Sequence, residues 1–253
     1  MAPAATIDLG LHLRLHFMLS ALRIALYADG ADVRDMAAAR SGGIVKGFTT
    51  NPTLMRKCGL TDYEAFATEA LAAAAGLPIS FEVFADEPRE MERQARKIAT
   101  WGEAVYVKIP ITNTEGISCV PLIGSLASSG VRVNVTAVMT LEQVQLVTDV
   151  LDAKTPAIVS VFAGRIADTG RDPVPLMRKA ASILDERPLA ELLWASPREL
   201  LNVFQADECG CDIITVTSEI LKKLAMVGKP LEELSLETVK MFYNDAAAAG
   251  YTL

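Results

Sequence analysis

The sequence has almost no histidine. Two stand in 253 residues, His12 and His16, both near the N-terminus. Beyond them, any acid–base chemistry must use carboxylates, lysine, tyrosine or water held by hydroxyls. Their i, i+4 spacing suits a metal on one helix face, but no HExxH pattern or third ligand accompanies them, so no metal centre is expected. Cysteine is also sparse. Cys58, Cys119, Cys209 and Cys211 fit no disulfide framework and no zinc motif, because Cys-Gly-Cys is not CxxC. Reduced thiols in the cytoplasm are the default. No GxGxxG or GxxxxGK loop is present to cradle a dinucleotide or a triphosphate. Charges of both signs are interspersed, the net charge is −7, and no basic run interleaves with aromatics, so a nucleic-acid partner is not expected. Long uninterrupted apolar runs are missing too. The stretch "LGLHLRLHFMLSALRIAL" is broken by Arg14 and Arg23 and has no small-residue cleavage site, which argues against a membrane span or a signal peptide. An extra N-terminal helix is expected there, and Met18 offers an alternative start.

Hydrophobic residues make up 51% of the chain, enough for one sizeable core. Short apolar runs alternate with longer amphipathic stretches. Strands are expected at 23–29, 47–51, 79–85, 104–111, 132–138, 157–163, 191–196 and 212–217. Helical segments lie between them. "TDYEAFATEALAAAAG" is one, with an expected capping box of Thr61 and Glu64 and a stop at Gly76. Eight strand–helix units point to an α/β fold, a (β/α)8 TIM barrel, with a doubly wound open sheet as the alternative. No linker divides the chain. The expectation is one barrel domain over 1–253, with an N-terminal extension at 1–22 and an extra C-terminal helix at 233–250. That helix carries Met241, Phe242 and Tyr243, which keeps a role in subunit contact open.

The stretch "AVYVKIPIT" (104–112) poses the chemical question. It reads as a buried strand with Lys108 in its middle. A buried ammonium is costly unless it is paired or loses its proton. Either Lys108 snorkels to an edge, or it is there for its chemistry. Its neighbours at strand ends favour chemistry. Strand one ends in Asp29 and strand two in Thr50 and Asn51. Glu82 lies within strand three, Asn134 and Thr136 within strand five, Ser160 within strand six with Arg165 beyond. Ser196 and Arg198 follow strand seven, and Thr215 and Thr217 lie in strand eight. Singly, each has a structural explanation as a cap, a turn residue or a surface charge. Together they would converge on one barrel mouth, which a purely structural barrel does not need. A desolvated lysine is a nucleophile toward carbonyls, and the imine it forms is an electron sink for carbon–carbon cleavage. Asp29 and Glu82 could move protons, one of them through a water held by Thr136. Asn51 and Asn134 could hold substrate hydroxyls. Arg165, Arg198 and Ser196 could clamp a phosphate.

At these residues the chain resembles the transaldolase family, which includes the fructose-6-phosphate aldolases. "TTNPT" (49–53) resembles the family's TTNPS signature, and "VKIPIT" (107–112) the segment around its Schiff-base lysine. "NVTAV" (134–138) and "SVFAGRIAD" (160–168) are similar to its next two strand motifs. The resemblance runs from about Tyr27 to about Leu224. It implies Lys108 as the Schiff-base lysine, Asp29 as the proton-transfer aspartate, and Glu82 with Thr136 as the pair holding the water. It further implies Asn51 and Asn134 as hydroxyl ligands, Ser160 as a lining residue, and Arg165, Ser196 and Arg198 as the phosphate site. Thr50 belongs to the same substrate-binding motif.

The aldolases of the family resemble the transferases but carry Gln where this chain has Glu82 and Tyr where it has Phe162. Both positions match the transferase. A tyrosine hydroxyl could help protonate the bound three-carbon carbanion; Phe162 has no such group. The chain also departs from the pattern. "ADG" replaces Leu-Asp-Thr around Asp29, and Pro197 in "SPR" replaces phenylalanine and is expected to shift Arg198. The implied activity is transfer of dihydroxyacetone from fructose 6-phosphate or sedoheptulose 7-phosphate to an aldose phosphate, with no cofactor. Two alternatives stand beside it: an aldolase or specialised sugar-pathway relative, and a sugar-phosphate-binding barrel without turnover. Sugar phosphates are the expected partners, with no nucleic acid and no membrane, and the chain is expected to form a homo-oligomer.

Overall fold

The computed structural model describes residues 22–252. Eight parallel strands close into a barrel in sequence order. They are β1 (Ala25–Asp29), β2 (Val45–Thr49), β3 (Ile79–Glu82), β4 (Val105–Pro110), β5 (Val133–Val138), β6 (Ala157–Val161), β7 (Ala190–Trp194) and β8 (Ile213–Thr217). The open-sheet alternative falls because β8 pairs with β1. Arg23–Leu221 forms one compact unit, and the chain from Lys222 onward belongs to another. His12 and His16, and all of the N-terminal extension except Leu22, lie outside the described residues.

Every expected strand has a counterpart, and the second shows how local chemistry sets a boundary. β2 begins two residues earlier than expected and ends at Thr49, not at Asn51. Asn51 instead caps α2 (Pro52–Lys57), accepting a hydrogen bond from the Leu54 N–H. Pro52 sits at the first helical position, where its missing N–H costs nothing. Between β1 and β2 runs α1 (Val33–Ser41). The segment at 61–76 folds as α3 (Tyr63–Ala74), but its N-cap is Asp62 and not Thr61. The Asp62 carboxylate reaches the Ala65 N–H at 3.0 Å, so the expected capping box is replaced by an aspartate cap one residue later. The helix ends on Ala75 and Gly76, both at positive φ.

The remaining helices of the barrel unit are α4 (Pro88–Ala99), α5 (Val120–Ser128), α6 (Leu141–Val150), α7 (Ala163–Ala167), α8 (Val174–Leu184) and α9 (Leu201–Glu208). Then α10 (Ser218–Lys223) leads to α11 (Leu231–Ala249), which begins two residues before the expected C-terminal helix. Leu231, Val239, Phe242 and Tyr243 of α11 are exposed. No helix among the described residues is long and apolar enough to cross a membrane.

Alternation along the strands divides the barrel into a dry jacket and a graded interior. Phe48, Ile79, Phe81, Val107, Val135, Val159, Leu192 and Ile214 are fully buried. The alternate residues point inward. Tyr27, Tyr106, Ile158, Leu193, Ala195 and Ile213 form one cluster that plugs the barrel. Gly47 makes this plug fit, because a Cβ there would lie 2.4 Å from Cζ of Tyr27. Above the plug, toward the strand C-termini, the inward positions turn polar. β5 carries a bulge between Val135 and Val138, with Ala137 at φ 60°. Such a bulge raises local twist beside a site.

The same crowding ties two loops together at the mouth. A Cβ on Gly164 would lie 1.5 Å from the Ser196 carbonyl oxygen. That approach brings the start of α7, with Arg165, against the β7 loop, with Ser196 at φ 57°. Gly164→Ala must move backbone, a clash costing about 3 kcal/mol or more. For a chain of this size the expected loss is roughly 6–12 °C in Tm, read by thermal unfolding. An unchanged Tm would mean that the two loops are not in contact.

Candidate active site

A cavity of about 360 Å³ opens at the C-terminal mouth of the barrel. Nine of the side chains singled out from the sequence line it: Asp29, Asn51, Glu82, Lys108, Ser160, Phe162, Arg165, Ser196 and Thr215. They come from seven different strands or strand ends, so only ring closure brings them together. Leu54, Leu193 and Ala195 supply the apolar wall.

Lys108 sits at the middle of this arrangement and is only 7% exposed. It does not snorkel. Its Nζ donates to the Thr50 carbonyl at 2.7 Å and lies 3.3 Å from Oε2 of Glu82. The strands enforce this pairing, because Glu82 and Lys108 are directly opposite across the β3–β4 ladder. In-register neighbours on one face bring their side chains within contact. Asp29 faces the same cavity and is held from two sides. Thr49 Oγ1 donates to Oδ1 at 2.7 Å and Asn51 Nδ2 to Oδ2 at 3.3 Å. The Thr215 hydroxyl lies 2.6 Å from that of Thr49 and extends the chain. Burial pushes the Asp29 carboxyl above the usual carboxylate range, with the Lys108 charge and the two hydrogen bonds pulling the other way. A proton-transfer group needs a pKa moved toward the working pH, and Asp29 moves in that direction.

Five of the singled-out residues do not line the cavity: Thr217, the last residue of β8, and four whose surroundings show why. Thr50 turns its hydroxyl to the Ser80 carbonyl at 2.9 Å, and only its own carbonyl reaches Lys108. Asn134 is fully buried, donating to Ser80 Oγ at 3.0 Å and accepting from Ser160 Oγ at 2.7 Å. Thr136 is buried opposite Pro110, one residue before the bulge at Ala137. Arg198 is engaged by the Asp168 carboxylate, whose pKa it holds below the usual range. Arg165, by contrast, lines the cavity with its guanidinium 5.7 Å from the Phe162 ring centroid. Of the two arginines, Arg165 is the one aimed inward.

Sequence reading missed Thr49, Ser80, Asp168 and Tyr63. Thr49 carried a usable signal. With Gly47 inside the barrel, alternation puts Thr49 inside as well and turns Thr50 away. Tyr63 has none, since it reaches Glu82 from a helix rather than a strand: its hydroxyl accepts from the Glu82 N–H at 2.8 Å. Among the described residues no group of three or more His, Cys, Asp or Glu has metal-holding geometry.

The direction of the Asp29 shift makes a stability prediction. A carboxyl whose folded pKa is raised is ionised more readily in the unfolded chain. Stability therefore falls as pH rises through the usual carboxylate range toward the folded value. Asp29→Asn removes this term. Its Tm relative to wild type should be higher at pH 8 than at pH 3, which lies below the ordinary aspartate pKa, so that the carboxyl is largely protonated in both states. Thermal scans at the two values check this, and a gap that widens toward acid would reverse the sign assigned to Asp29 burial.

Comparison with known proteins agrees with the fold and the motifs. Residues 26–253 match the family described as Transaldolase/Fructose-6-phosphate aldolase. A protein of Dehalococcoides mccartyi named probable transaldolase is 34% identical over 209 residues, covering 82% of this chain and 92% of its own length. A Roseiflexus protein of the same name is 34% identical over 214 residues, covering 84% and 93%. Among solved structures, a Coccidioides immitis protein named for fructose-1,6-biphosphate aldolase superposes with a TM-score of 0.56 at 12% identity, covering 91% and 90%. That likeness shows the barrel alone. With a match over nearly the whole chain, the protein belongs to the transaldolase/fructose-6-phosphate aldolase family.

Proposed function

We propose that the protein is a transaldolase that carries a dihydroxyacetone unit on Lys108 from a ketose phosphate to an aldose phosphate. The observation that carries this reading is the setting of Lys108: a buried amine at the floor of an open cavity, between a carboxylate and a carbonyl, with a second carboxylic acid facing the same space. A structural lysine would not be placed there. Leaving a buried charge without a partner costs about 3–5 kcal/mol, and an apolar residue would fill the position at no such risk.

The steps balance on residues of this chain. Lys108 passes a proton to Glu82, and the freed lone pair attacks C2 of the ketose phosphate. The carbinolamine loses its hydroxyl as water, taking the proton back from Glu82, and an iminium forms. Asp29 then accepts the proton of the C4 hydroxyl. The C3–C4 bond breaks, its electrons flow into the iminium, and an aldose phosphate departs. The enamine left on Lys108 attacks the aldehyde of an acceptor, and the sequence reverses. Asn51, Ser160 and Asn134 hold hydroxyls or the groups that orient them. Arg165 and Ser196 receive the phosphate, and Arg198 joins them on exchanging Asp168 for the incoming anion. The exposed apolar residues of α11 support self-association as part of the same reading.

The test is borohydride reduction after mixing with fructose 6-phosphate, then peptide mass mapping. A three-carbon adduct on Lys108 is expected. Lys108→Met should abolish both adduct and turnover while leaving the fold intact by circular dichroism. Retained activity in that variant would remove the Schiff-base mechanism.

The choice between transfer and release rests on Phe162, which lines the cavity without a proton to give. Phe162→Tyr should raise the release of free dihydroxyacetone from fructose 6-phosphate about tenfold or more, within the range for a positioned acid. Coupled assay of free dihydroxyacetone without acceptor reads this directly. No gain would show that the proton for release comes from elsewhere.

A further inference from the structure

β2 and β3 part at the site, and one side chain fills the gap. In a parallel strand the N–H and C=O of a residue point to the same edge. Glu82 turns both toward β2, since on the β4 side it is Val83 that bonds to Lys108. The β2–β3 ladder runs from the Phe48 N–H to the Pro78 carbonyl, then from the Thr50 N–H to the Ser80 carbonyl. Its next two bonds would join the Glu82 N–H to the Thr50 carbonyl, and the residue 52 N–H to the Glu82 carbonyl. Neither forms. Residue 52 is proline and has no N–H. The Thr50 carbonyl accepts from Nζ of Lys108 instead.

Tyr63 of α3 takes the place that β2 leaves. Its hydroxyl accepts from the Glu82 N–H at 2.8 Å and donates to the Glu82 carbonyl at 3.0 Å. The ring is held edge-on by Phe81, Phe84 and Trp101, with centroids 6.2, 5.4 and 5.5 Å away. Burial pushes the hydroxyl's pKa up, so the donor proton is retained across the neutral range. Both orphaned backbone groups of Glu82 are thus served by one hydroxyl, and the Thr50 carbonyl is left free for the amine.

We propose that Tyr63 is a positioning residue for the reaction: it substitutes for the missing strand and thereby fixes the Glu82 carboxylate against Lys108. The inference rests on the reading of Lys108 as the Schiff-base lysine. Without the hydroxyl, the end of β3 has two unpaired polar groups and a reason to move. Displacement of about 1 Å in a reacting group costs up to roughly a hundredfold in rate. Tyr63 does not line the cavity that holds Lys108, so substrate affinity should not follow the rate.

Tyr63→Phe keeps the ring and its packing and removes only the hydroxyl. Turnover is measured with fructose 6-phosphate and erythrose 4-phosphate and divided by the number of sites that borohydride traps. The expected result is a fall of about tenfold to a hundredfold in kcat per trappable site. KM for fructose 6-phosphate should stay within about twofold, and the pH–rate profile should be displaced. A merely structural role would lower Tm and the number of sites but leave kcat per site and the profile unchanged, and that result overturns the proposal. A second measurement needs no variant. In the intact protein the Glu82 amide should exchange with deuterium as slowly as the Val83 amide, although no strand covers it; rapid exchange would show that Tyr63 does not hold it and would overturn the proposal too. If the wild-type protein traps no adduct, the Schiff-base reading falls and the inference with it. An adduct in wild type with full kcat per site in Tyr63→Phe sinks the inference alone.

Discussion

The site depends on the break between β2 and β3 at Asn51–Pro52. Up to Thr50 the two strands are joined by an ordinary parallel ladder. Proline then removes the donor the ladder requires, and Asn51 commits the chain to a helix by capping α2. The Thr50 carbonyl is left facing into the barrel with no strand partner. A buried carbonyl without a donor is costly, and so is a buried amine without an acceptor. Each resolves the other, and the Lys108 amine is held at 2.7 Å. The register of β3 against β4 then puts Glu82 beside the same amine.

From this point the rest of the arrangement follows. A lysine paired with one carboxylate and one carbonyl keeps its polar needs met inside a barrel whose lower layer is closed by Tyr27, Tyr106 and Ile158. The opposite side of the cavity is organised around Asp29, whose two oxygens are taken by Thr49 and Asn51. Asn51 therefore has two tasks. Its Oδ1 ends the strand by capping the helix, and its Nδ2 orients the aspartate. A single residue couples the local break in the sheet to the carboxyl group that faces the cavity.

The far rim is built on contact rather than on the sheet. Gly164 lets the Ser196 carbonyl approach where any side chain would block it, and that approach sets Arg165 and Ser196 side by side. Arg198, one residue past Pro197, is drawn to Asp168 and stays off the cavity wall. The two arginines of this rim thus differ: Arg165 lines the cavity over Phe162, and Arg198 is held by the Asp168 carboxylate.

Much of this was legible in the sequence. Eight apolar runs separated by amphipathic segments define the barrel, because burial on both faces of a parallel sheet demands such runs. Lys108, Glu82 and Asp29 stood out because charged groups inside those runs are costly unless they pair. The absence of histidine beyond residue 16 narrowed the chemistry further. Other features were not in the one-dimensional pattern. Thr50 was placed in the substrate-binding motif, yet its hydroxyl turns to Ser80 and its carbonyl meets Lys108, because β2 ends two residues early and alternation turns the hydroxyl away. Arg198 and Asp168 are 30 residues apart, and only the packing of α7 against the β7 loop joins them. Tyr63 lies on a helix, outside any strand-end pattern, and its role appears only once β2 has left the edge of Glu82 unpaired. The sequence by itself determined which strands form and which charges they bury, since burial and alternation are local properties of the chain. Tertiary structure alone decided which atom meets which, since hydrogen-bond partners are set by register, ring closure and the point at which two strands part.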